Sequence, residues 1–215
     1  MLITLLSGCS ESPEPQPASG PLGYCGEATA GLVSGSGTPA EPLAPRFETA
    51  IAESACGAVE REYEVPQGTQ PHLSMCSEIS YTMNPPCFGP HYGIWAAFQH
   101  YDDAIPRGFW LHSMEHGAVV IAYSCTDCDD EVQAAKTLID ELPADPICSS
   151  PVDRRVILTP DPKLDTRWAA SAWGFTLTSG CFEAEIFRTF AISHNAAGPE
   201  DFCDNGVDVG ATPDP

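Results

Sequence analysis

The chain contains 215 residues, of which 30 are Asp or Glu and 9 are Lys or Arg, so its formal net charge is −21. This charge excludes a protein that grips nucleic-acid phosphates through clustered Lys and Arg, and anionic lipid headgroups repel it as well. With 21 Pro and 18 Gly, part of the chain is predicted to be linker, which leaves about 150 residues for one compact domain.

The N-terminal residues are typical of a lipoprotein signal. The apolar residues of 2–6 precede Leu-Ser-Gly-Cys9, which resembles a bacterial lipobox, although the run is shorter than a signal peptide requires and the natural start is expected upstream. Residues 1–8 are interpreted as a partial signal, Cys9 as the acylated residue, and residues 9–46 as a Pro/Gly/Ser-rich tether. This predicts an extracytoplasmic lipoprotein, periplasmic or at the cell surface, held at the membrane by its lipid alone. The alternative is an accidental apolar start.

The ten cysteines indicate a compartment in which disulfides persist. If Cys9 is acylated, the remaining nine allow four disulfides and one odd thiol, with a connectivity that spacing cannot give. Cys125-x-x-Cys128 fits a structural disulfide better than a redox pair. The disulfide candidates are Cys25, Cys56, Cys76, Cys87, Cys125, Cys128, Cys148, Cys181 and Cys203.

The predicted elements form one domain over residues 47–203. Apolar residues spaced by four predict a short helix over 47–59, and alternation over 60–65 predicts a solvated edge strand. The Pro-rich residues 84–92 predict a shaped loop, because prolines lack the donors that a helix or a central strand needs. Further along come predicted strands at 118–123, 155–159 and 167–178, helices at 129–142 and 182–190, and an acidic disordered tail at 204–215.

This order of elements predicts an α+β fold. We expect a mostly antiparallel sheet with two or three helices packed on one face, stapled by disulfides.

Four of the six histidines lie in motifs that suggest a site. Imidazole is the commonest side-chain ligand of transition metals, so the grouping predicts a shared metal site that uses at least three of the four. His100, in a loop, and His194, at a helix end, are weaker candidates. The four are His72, His91 in Gly-Pro-His-Tyr, and His112 and His116 in Leu-His-Ser-Met-Glu-His-Gly.

The spacing His112-x-x-Glu115-His116 matches the signature of inverted zinc peptidases, in which two histidines share a helix face and the Glu activates water. Gly117 and the β-branched run after it argue against an intact helix. On a straight strand the two histidines would lie about 13 Å apart, too far for one ion, so shared coordination requires a turn or a one-turn helix. Glu115 would then orient an imidazole, and Met114 would offer a thioether to a soft ion.

Several motifs in combination resemble a known bacterial family. They are Tyr-Thr-Met-Asn-Pro-Pro-Cys-Phe-Gly-Pro-His-Tyr at 81–92, His-Ser-Met-Glu-His-Gly-Ala-Val-Val at 112–120, Ala-Trp-Gly at 172–174, and a closing segment from Phe190 through His194 to Pro199-Glu200. Over residues 59–200 the chain resembles the domain of unknown function 3105. The resemblance implies an exported or membrane-tethered bacterial protein and no assigned activity. Cys87 replaces a small polar residue of the family pattern and Met114 replaces its usual Leu.

The leading functional hypothesis is therefore metal binding, with the metal ion as the expected partner and no protein partner that can be named. Copper is placed before zinc, because an exported location and neighbouring sulfur favour it. Two alternatives stay open. One is a metal-dependent hydrolase with Glu115 as general base, and the other is a non-catalytic interaction module whose histidines shape loops. Enzymatic turnover is not the favoured interpretation.

Overall fold

The computed structural model describes Cys25 and residues 42–67 and 70–210. The predicted signal, Cys9 and most of the tether lie outside these residues. Three helices and eight strands are present in the described part, in the following order: β1 (Phe47–Ala50), β2 (Val59–Glu62), β3 (His72–Leu73), β4 (His91–Tyr92), α1 (Arg107–Glu115), β5 (Val119–Tyr123), α2 (Asp129–Glu141), β6 (Val156–Pro160), β7 (Trp168–Ala172), β8 (Phe175–Ser179) and α3 (Ala184–His194).

Six of the strands form one mixed sheet in the order β1-β2-β8-β7-β5-β6, and β3 pairs with β4 separately. Neighbours in the large sheet are antiparallel except β5 and β6, which run parallel and are joined through α2. A parallel pair needs such a crossover, because a tight turn can only reverse the chain. The predicted α+β fold with a mostly antiparallel sheet is confirmed.

Both faces of the sheet are covered, which explains the continuous apolar run of β5. Val119 and Ile121 pack in one cluster with residues of α2 and α3. Val120 points to the opposite face, since successive side chains of a strand alternate, and it packs in a second cluster with residues of α1. Two helices thus share one face, as expected, and α1 lies on the other.

The helix predicted over 47–59 is wrong. Residues 47–50 form β1, the chain then turns, and β2 pairs back on it with Ala50 opposite Val59. Residues four positions apart lie on the same face of a helix, and they also lie on the same face of a strand. The spacing of the apolar residues therefore could not distinguish a helix from a strand. The strand predicted over 167–178 is two strands, because the chain reverses at Trp173 and Gly174, whose φ of +84° suits glycine.

The described part of the predicted disordered tail, residues 204–210, packs against the domain. Val207 N–H donates to the Trp95 carbonyl at 2.9 Å, and Ala97 N–H donates to the Val207 carbonyl at 2.8 Å. Val209 is buried beside Tyr101 in the cluster around α1.

Four disulfides staple the domain, in agreement with the expected number. They join Cys25 to Cys76, Cys56 to Cys181, Cys125 to Cys128 and Cys148 to Cys203. Cys87 is free and fully buried. In the part of the chain that the structure describes, no helix is both long enough and apolar enough to cross a lipid bilayer.

Candidate metal centre

The short parallel pair of β3 and β4 aligns two of the candidate histidines. His72 lies directly opposite His91 in the register, and Leu73 lies opposite Tyr92. Directly opposed residues on neighbouring strands point to the same face, so both imidazoles lie on one side of this pair. The His91 side chain is fully buried, whereas 54% of the His72 side chain is exposed.

Helix α1 contributes the remaining candidates. It spans nine residues, Glu115 is its last residue, and His116 is its C-cap. An intact helix therefore carries this motif, and the expectation that Gly117 would prevent one is wrong. Gly117 instead ends the helix with a φ of +91°, where an added Cβ would lie 2.6 Å from Arg155 Nη1.

The side chains of His72, His91, His112 and Glu115 converge. One ligand atom from each of the four lies within 4.8 Å of all the others. The three ring centroids form a nearly equilateral triangle with sides of 4.7, 4.8 and 4.8 Å. Four nitrogen and oxygen donors at this separation can contract around one ion with bonds of about 2.0–2.2 Å.

Backbone carbonyls orient two of the three imidazoles. His91 Nδ1 lies 2.9 Å from the Gly89 carbonyl oxygen, and His112 Nδ1 lies 2.6 Å from the Tyr92 carbonyl oxygen. A carbonyl oxygen can only accept, so each Nδ1 carries the hydrogen and, in the neutral ring, Nε2 carries the lone pair. Metal-bound histidines are oriented in this way, with the second ring nitrogen donating to a carbonyl or carboxylate.

His91 and Glu115 are in direct contact. His91 Nε2 is buried and lies 3.0 Å from Glu115 Oε2. His72 Nε2 lies 3.7 Å from the same oxygen. One carboxylate oxygen of Glu115 thus lies beside two imidazoles, where its negative charge can be balanced by a bound cation.

The electrostatic environment keeps the donors in the forms that bind metal. Burial, the largest cause, and the neighbouring His91 and His72 together lower the pKa of His112 to about 4, against the opposing effects of the Tyr92 carbonyl and Glu115. Burial alone would raise the pKa of Glu115, but the adjacent His91, and the positive charge that His91, His112 and His72 can carry, lower it overall. At neutral pH the site therefore presents a neutral His112 and an ionised Glu115.

His116 belongs to a second group, together with Glu115 and Glu200. Its Nε2 lies 3.3 Å from Glu200 Oε2, while its Nδ1 is buried without a hydrogen bond. Burial also lowers the pKa of His116 to about 4. Gly198 allows the segment that carries Glu200 to approach α1, since an added Cβ would collide with the Glu115 carbonyl oxygen.

The other sulfur and histidine candidates lie elsewhere. Met114 is fully buried among Phe109, Trp110 and Leu111, so its role as a thioether ligand stays a prediction. Cys87 Sγ contacts Met83 Sδ at 3.3 Å in the same apolar cluster, and burial raises its pKa well above that of an ordinary thiol.

Two more histidines complete the set. His100 is half-buried and forms an isolated bridge with Leu158, while His194 contacts Glu60 at 2.9 Å at the end of α3. A third convergent group, Cys56, Cys181 and Glu183, has both sulfurs in a disulfide, so its thiolates are unavailable to a metal.

A family model described as "Protein of unknown function (DUF3105)" matches residues 72–205. The chain belongs to this family. The matched region begins at His72 and contains every residue of the two histidine groups. No significant match to a curated protein or to a solved structure was found.

Sequence motifs predict the four histidines and Glu115 as site residues, but they do not predict Glu200. Glu200 lies 84 positions beyond His116, so no spacing rule connects them. The one sequence feature that pointed to Glu200 was its place in the Pro199-Glu200 segment, which is part of the resemblance to the family.

Proposed function

We propose that this domain binds a divalent transition-metal ion through His72, His91, His112 and Glu115. The observation that carries the proposal is the convergence of these four side chains, since one donor atom from each lies within 4.8 Å of the others. A hydrogen bond between His91 and Glu115 would involve only these two groups. The convergence of two further imidazoles on the same point supports an ion with four or more coordination positions.

Zinc or copper(II) fits this donor set best. Three imidazoles and one carboxylate form a set of borderline and hard ligands, which suits divalent zinc and copper, whereas copper(I) prefers thiolate and thioether sulfur. Cys87 is in no convergent donor group of the described residues, and Met114 is fully buried in an apolar cluster. This favours the divalent ions over copper(I).

Binding is favoured over hydrolysis by the position of Glu115. A general base must reach a water molecule at an open coordination position. Glu115 is instead 6% exposed and directed at the His91 imidazole, with its oxygen among the convergent donor atoms. A carboxylate in this position acts as a ligand. The exposed His72 leaves one side of the site accessible, which suits uptake and release of an ion.

Metal titration of His72→Ala tests this function without endangering the fold, because more than half of the His72 side chain is exposed. Calorimetric titration of the metal-free protein with Zn²⁺ and with Cu²⁺ is expected to show binding to the wild type and, in the variant, an affinity lower by at least the roughly 10- to 100-fold that follows loss of a group that only orients a ligand.

His100→Ala is the matched control, because His100 is also accessible and lies outside both groups; its affinity should equal that of the wild type. Absence of binding to the wild type, or equal affinities for the wild type and His72→Ala, would overturn the proposal.

We further propose that the domain works outside the cytoplasm, anchored through a lipid on Cys9. Four disulfides in a domain of this size support an oxidising compartment, and the Leu-Ser-Gly-Cys9 string supports lipidation. In a bacterial host, the wild type is expected in the membrane fraction and Cys9→Ala in the soluble fraction. An equal distribution of the two proteins would contradict the anchor.

A further inference from the structure

Glu115 belongs to both convergent groups, and it is the only residue that they share. The first group is His72, His91, His112 and Glu115, and the second is Glu115, His116 and Glu200. The His112 and His116 rings are neighbours, with centroids 4.7 Å apart in a T-shaped arrangement. The second group is therefore an extension of the first along the end of α1.

One ion cannot use all six side chains. Two donors on the same ion at about 2.0–2.2 Å can lie no more than about 4.4 Å apart. Donor atoms within each group lie within 4.8 Å of one another and can contract to this limit, whereas the described residues offer no set of donor atoms that brings all six side chains within 4.8 Å. A carboxylate, however, has two oxygens with separate lone pairs, so Glu115 can serve a different ion with each oxygen.

We infer that the domain holds two metal ions, with Glu115 as the bridging carboxylate and with His116 and Glu200 as ligands of the second ion. The inference rests on the proposed function, since the first ion occupies the site of His72, His91 and His112. Carboxylate-bridged ions in proteins lie about 3.5–4 Å apart.

An unsatisfied imidazole provides independent support for the second position. His116 is 2% exposed, its Nδ1 makes no hydrogen bond, and its Nε2 contacts Glu200 at 3.3 Å. A cation held by one nitrogen of this ring and by the two carboxylates would balance the carboxylate charges beside the buried imidazole, while the other nitrogen carries the ring hydrogen.

The backbone fixes the two carboxylates beside each other. Glu200 N–H donates to the Glu115 carbonyl at 3.0 Å, and Ala196 N–H donates to the Gly117 carbonyl at 2.9 Å. Arg155 Nη1 donates to the His116 carbonyl at 2.8 Å, which holds the C-cap in place. The position of Glu200 therefore follows from main-chain pairing, although its own side chain is 56% exposed.

Aromatic rings pack against the His116 ligand of the second position. Phe202 lies against the His116 ring with centroids 4.0 Å apart, and the Trp95 ring meets it edge-on at 4.5 Å. Such walls lower the local dielectric constant, which strengthens the attraction between a cation and the two carboxylates.

Glu200→Gln is the variant that separates the two ions, because an exposed side chain can be changed without disturbing the core. Metal analysis after dialysis against Zn²⁺ is expected to give two ions per chain in the wild type and one in Glu200→Gln. Glu185→Gln is the matched control, since Glu185 is also exposed and lies outside both groups; it should retain two.

Electron paramagnetic resonance of the Cu²⁺-loaded proteins provides a second readout. Two bridged Cu²⁺ ions couple, so the wild type is expected to show a weakened or broadened signal, and Glu200→Gln should show the full signal of one isolated ion.

One zinc ion in both the wild type and Glu200→Gln, with an isolated Cu²⁺ spectrum in each, would overturn the two-ion inference and leave the first site intact. No bound metal in the wild type would instead overturn the proposed function.

Discussion

At the scale of single residues, hydrogen bonds to the ring distinguish the histidines. His91 and His112 each use Nδ1 to contact a main-chain carbonyl, which leaves Nε2 directed at the convergent donors. His194 instead contacts Glu60 through Nε2 and stacks on Phe175 with centroids 4.1 Å apart. His194 therefore has its polar and apolar surfaces occupied by neighbours, whereas the two carbonyl-bound histidines keep a donor atom available for an ion.

A buried ion pair between Asp145 and Arg155 packs beside the candidate site, since Arg155 also donates to the His116 carbonyl. Asp145 Oδ2 accepts from Arg155 Nε at 2.8 Å and from Asn195 Nδ2 at 2.8 Å, and both charged side chains are almost fully buried. Arg155 also contacts the exposed carboxylate of Asp201. Asp145 thus connects Arg155, the residue before β6, to Asn195 at the end of α3, from which the chain continues to Glu200.

Asp145→Asn is expected to lower the free energy of unfolding at pH 7 by about 3 kcal/mol, because breaking a buried pair leaves a charge without its partner. Asp102→Asn is the control. Its carboxylate pairs with Lys136 at 3.0 Å on an 89% exposed side chain, so the change should stay within about 1 kcal/mol. Urea unfolding measures both, and equal effects of the two substitutions would contradict the structural role of Asp145.

The same substitution should alter the acid dependence of stability. Burial alone raises the pKa of Asp145, but contacts from Asn195, the Ile147 amide and Arg155 lower it overall, below the ordinary 3.8. Since the folded pKa is the lower one, the contribution of Asp145 is complete above about pH 4 and is lost as the pH falls through the folded value. Stability of the wild type should therefore decline more steeply than that of Asp145→Asn below pH 4. Parallel curves would show that Asp145 does not titrate in this way.

At the scale of elements, the sequence predicted the helices and strands whose apolar residues follow one clear pattern. Helix α2 has an apolar stripe and three acidic residues in its first turn, and β5 has a continuous apolar run. Helix α1 was missed because all nine of its residues are buried. A helix surrounded by protein needs no polar face, so its sequence lacks the alternation of apolar and polar residues that reveals a surface helix.

The candidate site was predictable in its residues but not in its arrangement. The motifs around His91 and His112 marked the imidazoles, whereas the register that sets His72 opposite His91 joins residues 19 positions apart through two-residue strands. Such short strands have no periodicity to read. The approach of Glu200 depends on main-chain pairing with Glu115 and on Gly198, which are tertiary features. Long-range pairing therefore determines which donors meet.

At the scale of the whole molecule, the net charge and the candidate site both favour the binding of cations. A formal charge of −21 attracts cations to the surface and raises their local concentration. Within that field, Glu115 and Glu200 are the carboxylates that converge with imidazoles at the end of α1. The general surface charge favours encounter with any cation, and the arrangement of neutral imidazoles provides the preference for transition metals.

The disulfides differ widely in the length of chain that they close, and so in their expected effect on stability. Cys56–Cys181 spans 125 positions and links the turn between β1 and β2 to the segment between β8 and α3, whereas Cys125–Cys128 spans only 3. A crosslink removes entropy from the unfolded chain in proportion to the logarithm of loop length. The long bridge should therefore stabilise the fold more than the short one by about 3 kcal/mol.

Paired Cys→Ser variants test this difference under non-reducing conditions. Replacing Cys56 and Cys181 together is expected to lower the free energy of unfolding in urea by about 5 kcal/mol, and replacing Cys125 and Cys128 together by about 2 kcal/mol. Cys128 is buried, whereas the other three cysteines are half-buried. Loss of packing therefore adds to the effect of the short pair, and a larger effect of the long pair can be assigned to loop length. Equal losses would mean that the long bridge closes a region already compact in the unfolded chain, which would contradict the assignment of its effect to loop entropy.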